Sequence, residues 1–483
     1  MDALTLLPPL LALGLAVWTR NVFIALGAAN WASETLIAKG HIFIGLLDSI
    51  DRAANVFQSA GNTRILLFCL IIGALMAYMH QSGGVAALVN RFIRSGLAAT
   101  RRRASLLTAA LGSALFMETN ISLLSTGILG RGLFERLKMS RERLAYLIDS
   151  TSAPISILVL INGWGAYLYS LILPYEDLGD PIAILIATIP LNFYALLTIA
   201  GVYLTAFTDR TFGPMKEVEA RQLAAPISAA PPDQPFDTDS QGIDTDIDVG
   251  IDGIIPSKAR YMALPLGLMI LTTLAFMFWT GYQKTGLVSV QTMMSGSGSQ
   301  SILWAVVLAS ALAFILLRVD RVFKTQKLID IGFKGMGELL PAVAVIFLSL
   351  ALAASLRELG TGEFIASLAS GFPEPAILPM LIFIAAGLTS FATGTSWGTY
   401  GILVPIAMPL ALGADIPPAL MLASVMGGGV FGDHCSPISD TSIIASFASG
   451  SDHISHIRTQ LPYALIAGGL ASLLYLIMGF LMI

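Results

Sequence analysis

The chain has 483 residues, of which 55% are hydrophobic and only 12% are charged, and its formal net charge is −4. A soluble protein of this length needs a polar surface that this composition does not supply, so soluble globular classes are excluded. Transmembrane barrels show weak alternation over short strands, whereas this sequence has long continuous apolar runs. The composition therefore predicts an all-α polytopic membrane protein in a lipid bilayer.

The first three predicted helices lie near residues 4–18, 22–38 and 65–80. When basic loops are placed in the cytoplasm, the arginines that follow these helices bring the chain inside. The next apolar stretch, about 104–130, is followed by a second basic loop, so it begins and ends on the same side. This pattern predicts a re-entrant hairpin with its tip at Met117 to Asn120, since irregular backbone at membrane depth is tolerated where protein or water satisfies it.

The chain then leaves the cytoplasm in a helix that contains the sequence DSTSAP, Asp149 to Pro154, and returns through an apolar stretch at 181–207. Residues 211–260 include a polar segment that is rich in Asp, Pro and Gly. This composition predicts an acidic, disordered cytoplasmic linker between two halves of the protein.

The second half starts inside the cell, with predicted helices near 261–281, 302–317 and 337–357. The stretch 376–412 is flanked by Glu374 and Asp415, which both fall on the outside, so a second re-entrant hairpin is predicted there. A broken helix carries the motif GGGVFGDHCSPISDTSI, Gly427 to Ile443, and the last predicted helix spans 461–482.

Residues 1–210 and 261–483 are thus predicted to contain the same elements, which are five spanning helices and one re-entrant hairpin each. Five crossings are an odd number, so the second copy must be inverted relative to the first. Short echoes accompany this pattern, since TGIL at Thr126 to Leu129 resembles YGIL at Tyr400 to Leu403. The predicted fold is a pair of inverted-topology repeats.

Four stretches resemble the NhaC family of sodium/proton antiporters within the ion transporter superfamily: GGGVFGDHCSPISDTSI, FATGTSWGTYGILVPIAMPLA, MSRERLAYLIDSTSAPISILVLINGWGAY and LGTGEF. The resemblance covers about residues 60–170 and 335–450. It implies inverted repeats, two hairpins, elevator-like alternating access, a homodimer and a place in the bacterial inner membrane. The chain departs from many relatives at the first hairpin tip, where Met117 and Glu118 stand in place of two aspartates.

Interrupted membrane helices supply free carbonyl groups and helix-end dipoles, which suit a sodium ion when side-chain oxygens are added. The predicted substrate- and ion-binding residues are Glu118, Thr119, Asn120, Thr151, Ser152, Thr393, Gly394, Thr395, Ser396, Gly432, Asp433 and Ser436. Within this set, Asn120, Thr395 and Asp433 are the predicted sodium site. Pro154 and Pro437 are predicted to break two helices, because proline removes an intrahelical hydrogen bond. The alternative for all these residues is ordinary packing at helix kinks.

Acidic residues at bilayer depth cost at least about 2.5 kcal/mol each when unpaired, and they usually have a function. Asp433 and Glu118 are the predicted proton carriers. Burial favours the protonated carboxyl, whereas a bound cation favours the carboxylate, so sodium binding would expel the proton. Asp149 has a second interpretation as an ion-pair partner of Arg141 and Arg143, which lie close to it in the sequence.

Other polar residues near the motif have separate interpretations. Asp440 is expected to cap or stabilise the second part of the broken helix. His434 and Cys435 are adjacent on a helix and therefore diverge by about 100°, which argues against a catalytic nucleophile pair and favours a structural or pH-tuning role for His434. A solvated cytoplasmic loop or a pH sensor is expected at Asp452, His453 and His456.

The leading hypothesis is a secondary transporter that exchanges sodium for protons, with no cofactor, no enzymatic activity and no nucleic-acid partner. The alternative is sodium- or proton-coupled transport or exchange of a small organic anion or amino acid, whose carboxylate the hairpin N-termini would hold. An ion channel would need a continuous pore, which two opposed hairpins do not favour. The sequence contains no GxxxxGK[ST] motif, so a nucleotide-driven pump is not expected.

Overall fold

The computed structural model describes residues 3–19, 21–85, 87, 100–116, 119–224, 257–286, 296–371 and 373–482. Within these ranges the regular structure is helical and no strand occurs. Eight helical segments are long and apolar enough to cross a membrane. The predicted class, an all-α polytopic membrane protein, is confirmed.

The described part of the first half contains α-helices of different lengths. They are α1 (Leu7–Thr19), α2 (Val22–Ile37), α3 (Ile42–Asn55), α4 (Ala60–Gln81), α5 (Arg101–Ala114), α6 (Thr119–Arg136), α7 (Arg141–Leu158), α8 (Gly163–Ile172), α9 (Pro181–Thr188), α10 (Phe193–Thr208) and α11 (Gly213–Ala224). Helices α1, α2 and α4 match the three predicted near the start. Helix α3 is not among the predictions, because charged residues such as Asp48 and Asp51 interrupt its apolar residues. Helices α9 and α10 divide the apolar stretch predicted as a single crossing.

The second half is organised in the same way. Its helices are α12 (Arg260–Thr285), α13 (Gly298–Val319), α14 (Thr325–Glu338), α15 (Leu340–Glu358), α16 (Thr361–Ser370), α17 (Leu378–Thr393), α18 (Ser396–Gly413), α19 (Pro418–Cys435), α20 (Asp440–Ser449) and α21 (His453–Met482). Helices α12, α13 and α15 match the predicted spans, whereas α14 and α16 are additional short helices. Helix α21 begins at His453 rather than near residue 461, so His453 and His456 belong to a helix and not to a loop.

Helix α11 occupies the beginning of the predicted linker and is docked onto the bundle. Its Glu219 is buried and accepts a hydrogen bond of 2.7 Å from the Ser140 amide. The same carboxylate pairs with Arg101 and Arg143. The predicted disorder therefore does not extend to α11, because a buried ion-pair network fixes this helix. Most of the predicted acidic linker, residues 225–256, lies outside the described residues.

Helices α17 and α18 form a helical hairpin at the place of the predicted hairpin 376–412. Both arms pack on α19, and α17 runs parallel to α19 while α18 runs in the opposite direction. The contacts that establish these directions are Phe383 with Gly428 and Phe391 with Ser436 for α17, and Tyr400 with Met426 and Ser396 with Asp433 for α18. We call this pair the second hairpin.

Helices α5 and α6 form a hairpin at the place of the predicted hairpin 104–130, and we call this pair the first hairpin. Its arms stand in the same relation to α7 as the arms of the second hairpin do to α19. The contacts are Gly112 with Ser122 between the arms, Gly112 with Thr151 for α5, and Gly127 with Ile148 and Gly130 with Leu144 for α6. Both predictions of a hairpin next to a broken helix therefore agree with the helix packing.

The second broken helix consists of α19 and α20, which are separated by residues 436–439. Pro437 lies in this break, as the sequence predicts. Ser439 accepts a hydrogen bond from the Ser442 amide at 3.2 Å and so caps the start of α20. Asp440 is the first residue of α20 rather than its cap.

The first broken helix consists of α7 and α8, which are inclined by 45°. Its break lies at residues 159–162, and the prediction of a break at Pro154 is wrong because this proline lies inside α7. A proline removes one hydrogen bond, but its fixed φ remains compatible with a helix. The observed break has a local cause, since Asn162 caps α8 and a Cβ at Gly165 would lie 1.9 Å from the Leu160 carbonyl oxygen.

Each hairpin also packs on the broken helix of the other half. Helix α6 contacts α20, where Gly127 lies against Ala448. Helix α18 contacts α8, where the Tyr167 hydroxyl donates a hydrogen bond of 2.9 Å to the Trp397 carbonyl. The two hairpins and the two broken helices are thus interlocked, which brings together residues that are far apart in the sequence.

Candidate functional site

The tips of both hairpins and the second helix break line a single cavity of about 390 Å³, which we call the hairpin-tip cavity. Its polar lining includes Thr119, Asn120, Thr393, Thr395, Ser396, Asp433, Asp440 and Thr441. Six of these are predicted site residues, and they come from three separate segments of the chain. Their convergence follows from the packing of both hairpins on the broken helices.

Asp433 is the most buried acid of this cavity. It lies in the last turn of α19 and is 1% exposed. Its Oδ2 atom accepts a hydrogen bond of 2.9 Å from the hydroxyl of Ser396, the first residue of α18. Its Oδ1 atom is buried and has no hydrogen-bond partner among the described residues. One carboxylate oxygen is therefore fixed, while the other is available to a ligand.

Several helix ends meet at the hairpin-tip cavity. Helix α17 ends at Thr393 and α19 ends at Cys435, while α18 begins at Ser396 and α20 begins at Asp440. Helix C-termini carry a partial negative charge that favours cations, and N-termini favour anions. The position of Asp433 in the last turn of α19 thus adds a full negative charge to the end that already attracts cations.

Two of the predicted glycines hold the second hairpin against the broken helix. Gly394 has φ +66° at the hairpin tip, and a Cβ there would lie 2.3 Å from the Ile438 carbonyl oxygen. A Cβ at Gly432 would lie 2.1 Å from the Gly387 carbonyl oxygen. Neither position has room for a side chain, so both glycines set the distance between the hairpin tip and Asp433.

The tip of the first hairpin is fixed by the first broken helix. The Trp164 indole donates a hydrogen bond of 3.2 Å to the Thr119 hydroxyl, and the Asn162 amide donates one of 3.0 Å to the Phe116 carbonyl. Glu118, the second predicted proton carrier, lies outside the described residues, as does its neighbour Met117.

Three predicted binding residues have other partners and do not line the cavity. Thr151 is fully buried and donates to the Leu147 carbonyl of its own helix at 2.7 Å. Ser152 also donates to its own helix. Ser436 donates to the Phe391 carbonyl at 2.7 Å and so joins the helix break to the hairpin. Because each of these hydroxyls donates to a backbone carbonyl, they stabilise the helices and their packing and do not line the cavity.

Asp149 is not the ion-pair partner of the nearby arginines. Arg143 pairs with Asp209 at 2.5 Å, and Arg141 pairs with Glu135 at 2.7 Å. Asp149 lies deeper in the bundle, two turns along α7, where its carboxylate meets residues of α20 and α21. Closeness in the sequence did not predict its partners, because residues six or eight apart on a helix are too far apart along the axis for direct pairing.

The partners of Asp149 were missed by reasoning from the sequence. They are Ser442, His456 and Gln460, all of which are at most 1% exposed. The expectation of a solvated loop is wrong for His456, since α21 extends further than predicted. One signal was present, because His456 and Gln460 are four residues apart and so share a helix face.

His434 is also fully enclosed. Its Nδ1 atom lies 3.0 Å from the Tyr194 hydroxyl, and its backbone carbonyl accepts a hydrogen bond of 3.2 Å from Gln460. Among the residues that the structure describes, no group of three or more His, Cys, Asp or Glu is arranged to hold a metal ion. The adjacent Cys435 is buried and makes no disulfide.

A helical membrane bundle in which two hairpin tips and a broken helix surround a buried carboxylate defines a secondary transporter. A profile of the Na+/H+ antiporter family matches residues 144–480. This chain belongs to that family, which confirms the resemblance found in the sequence and the expectation that it is a transporter rather than an enzyme.

Individual proteins are similar to this chain in sequence or in structure. An uncharacterized protein of Haemophilus influenzae is 29% identical over 493 residues, which cover 99% of this chain and 91% of that protein. The malate-2H+/Na+-lactate antiporter of Bacillus subtilis is 34% identical over 109 residues, or 23% of each chain. The crystal structure of the YdaH transporter from Alcanivorax borkumensis matches with a TM-score of 0.58 at 16% identity, over 97% of this chain and 98% of that one, and shares the fold.

Proposed function

We propose that this protein exchanges sodium ions for protons across the bacterial inner membrane, and that the two cations compete at Asp433. The observation that carries the proposal is a buried carboxylate with one oxygen bonded to Ser396 and the other without a partner in the part of the chain that the structure describes. An unpaired buried charge is unfavourable. Either a proton or a sodium ion removes this penalty, and binding of one weakens binding of the other.

The predicted sodium ligands Asn120 and Thr395 line the same cavity as Asp433. They supply neutral oxygens, and the ends of α17 and α19 supply a negative electrostatic potential. Hard oxygen ligands of this kind suit sodium. The convergence of both hairpin tips at one acid therefore supports sodium as the coupled ion.

The proposed mechanism is elevator-like alternating access in a homodimer of inverted repeats. Its support is the reciprocal packing in which α6 contacts α20 and α18 contacts α8. Interlocked hairpins and broken helices can move as one body, which would carry Asp433 from one side of the membrane to the other without opening a continuous pore.

A second candidate function is coupled transport of a small organic solute. The observation that favours it is the volume of about 390 Å³, which falls in the range of small-molecule sites. The lining carries Asp433, Asp440 and Glu338 and, among the described residues, no Lys, Arg or His. Such a lining favours a solute with a positively charged group over the organic anions named for the Bacillus subtilis relative.

The proposal is tested with purified protein in lipid vesicles under imposed sodium and pH gradients. Native protein should exchange sodium for protons, and Asp433→Asn should abolish exchange, because the variant keeps the shape of the side chain and loses the charge and the titration. Asp452→Asn is the matched control, since Asp452 is exposed and caps a turn with an oxygen that asparagine retains. Sodium/proton exchange by Asp433→Asn at the native rate and with the native pH dependence would contradict the proposal.

Glu118→Gln in the same vesicles asks whether the first hairpin shares the proton. An inactive Glu118→Gln beside a fully active Asp433→Asn would assign the proton to the first hairpin. Labelled organic cations and organic anions in the same assay distinguish the second candidate, which requires uptake that depends on a sodium or proton gradient.

A further inference from the structure

A second buried acid lies apart from the hairpin-tip cavity. Asp149 of α7, Ser442 of α20, and His456 and Gln460 of α21 are each at most 1% exposed. None of them lines the cavity. The proposed exchange at Asp433 does not use this group, although it contains a fully buried acid and a fully buried histidine.

One oxygen of Asp149 lies within hydrogen-bond distance of three side chains. Its Oδ2 atom lies 2.7 Å from the Gln460 amide nitrogen, 2.9 Å from the Ser442 hydroxyl and 3.3 Å from His456 Nε2. The Ser442 hydroxyl and the Gln460 amide both donate to this oxygen, and such donors stabilise the ionised carboxylate over the neutral acid. Asp149 is therefore held as an anion.

The side chain that can compensate this anion is His456. The nearby cations are committed elsewhere, because Arg143 pairs with Asp209 and Glu219, and Arg131 of α6 donates to the Ala448 carbonyl. The titratable groups that interact with Asp149 or His456 from the surrounding helices are Tyr194 of α10, Asp433 and His434 of α19, and Asp440 of α20. His434 already shares its Nδ1 atom with Tyr194.

The group contains buried polar atoms that can accept a proton. The Asp149 Oδ1, His456 Nδ1 and Gln460 Oε1 atoms are buried without a hydrogen-bond partner among the described residues. When His456 is neutral, its Nε2–H donates to Asp149 and Nδ1 remains a free acceptor. A proton on Nδ1 converts an uncompensated buried anion into a neutral ion pair, which is the better state in a medium of low polarity.

We propose that Asp149 and His456 form a second proton-binding site, and that Gln460 connects it to the helix end that carries Asp433. Gln460 donates to Asp149 and also to the backbone carbonyl of His434, the residue after Asp433. Loss of the proton increases the negative charge beside Gln460 and strengthens the hydrogen bond from Gln460 to Asp149. The hydrogen bond from Gln460 to the His434 carbonyl at the end of α19 is then weakened. Only this connection rests on the proposed function; the proton binding stands by itself.

The test is nuclear magnetic resonance of the histidine rings in purified, full-length protein in lipid nanodiscs, with His456 identified by the signal lost in His456→Gln. The His456 ring should gain a proton between about pH 9 and pH 5. In Asp149→Asn half-protonation should move to lower pH by about one unit or more, because the compensating charge is gone. His453, which bonds the Pro437 carbonyl, is the internal control and should not move.

Two results would overturn the second site: a His456 ring that keeps one protonation state across the whole range, or a midpoint that Asp149→Asn leaves in place. If Asp149→Asn does not fold, Ser442→Ala tests the same point, since it keeps both charges and removes one donor to the carboxylate. The midpoint should then move to higher pH, and an unchanged midpoint would count against the site.

The second site and the proposed function fail independently. Asp433→Asn should lose exchange and keep the titration of His456. A titrating His456 in a protein that exchanges no sodium would contradict sodium/proton exchange alone. Exchange with a His456 ring that does not titrate would contradict the second site alone.

Discussion

The two broken helices each carry one buried aspartate. These two aspartates differ in the number of polar side chains around them and in their position relative to the hairpin-tip cavity. In the second broken helix, Asp433 lines the hairpin-tip cavity and has, among the described residues, a single donor, Ser396, and one oxygen without a partner. In the first, Asp149 has three polar neighbours on one oxygen and lies away from the cavity. Each carboxylate thus has one oxygen without a partner among the described residues, but only Asp433 lines the cavity.

This difference shows that the similar packing of hairpin and broken helix does not by itself determine the surroundings of a buried acid. Both hairpins pack on their broken helices in the same directions, and both tips donate or accept hydrogen bonds across the break. What differs is the number of donors around each carboxylate. Asp433 lines the cavity, where its unpartnered oxygen is accessible to a cation, whereas Asp149 has three polar neighbours on one oxygen and does not line the cavity.

The largest expected effect concerns the orientation of the two hairpins. Single cysteines at Arg103 and Arg136 should react with a membrane-impermeant reagent from the cytoplasmic side only, and cysteines at Glu374 and Asp415 from the outside only. All four positions are exposed, while native Cys69 and Cys435 are buried. Labelling of both pairs from one side would break the comparison, because the hairpins would then not be inverted copies.

The next largest effect is expected from Gly432→Ala. The new methyl group would lie 2.1 Å from the Gly387 carbonyl oxygen and would push the second hairpin away from Asp433. Overpacking of this kind costs about 1–3 kcal/mol, so exchange in vesicles should fall at least about tenfold and the melting temperature should drop. Gly469→Ala is the control, because no atom lies within 4 Å of its Cβ position. Equal activity of the two variants would contradict the close packing.

Ser396→Ala should have an intermediate effect. Without its donor the Asp433 carboxylate is less stable relative to the protonated acid, and a hydrogen bond to a charged group contributes about 1.5–3 kcal/mol. The proton then competes better, so the sodium concentration for half-maximal exchange should rise about tenfold at constant pH. Ser424→Ala serves as control, since Ser424 is buried but donates only to the Leu420 carbonyl of its own helix. A lower or unchanged sodium requirement in Ser396→Ala would contradict competition at Asp433.

The smallest expected effect compares the two hairpin tips directly. Ser436→Ala removes the side-chain donor to the Phe391 carbonyl and should lower the free energy of unfolding by about 1 kcal/mol. Ser156→Ala should cost only a few tenths of a kcal/mol, because Asn162 still donates to the Phe116 carbonyl. Thermal melting in detergent measures both, and the reverse order would show that the tips are held by other contacts.

The order of hairpins and broken helices was predictable because it depends on local properties. Long apolar runs and basic loops predicted re-entrant hairpins at 104–130 and 376–412, and a pair of helices occurs at each place. The amphipathic helices α3, α14 and α16 were not predicted, since their mixed apolar and charged residues give no continuous run. The first break was misplaced because Pro154 is tolerated within α7, whereas Asn162 caps α8 further along and Gly165, which has no Cβ, leaves room there for the Leu160 carbonyl.

The sequence by itself determined the class of this protein and its family, and it singled out Asp433 as a candidate site residue. Hydropathy, charge and a long motif are properties that can be read along the chain. Only the tertiary structure decided the surroundings of Asp149. Its partners Ser442, His456 and Gln460 lie about 300 residues away along the chain. The hydrogen-bond partners of a buried acid depend on which polar side chains the packing of distant helices brings within about 3 Å. That distance is set by the fold and not by the local sequence.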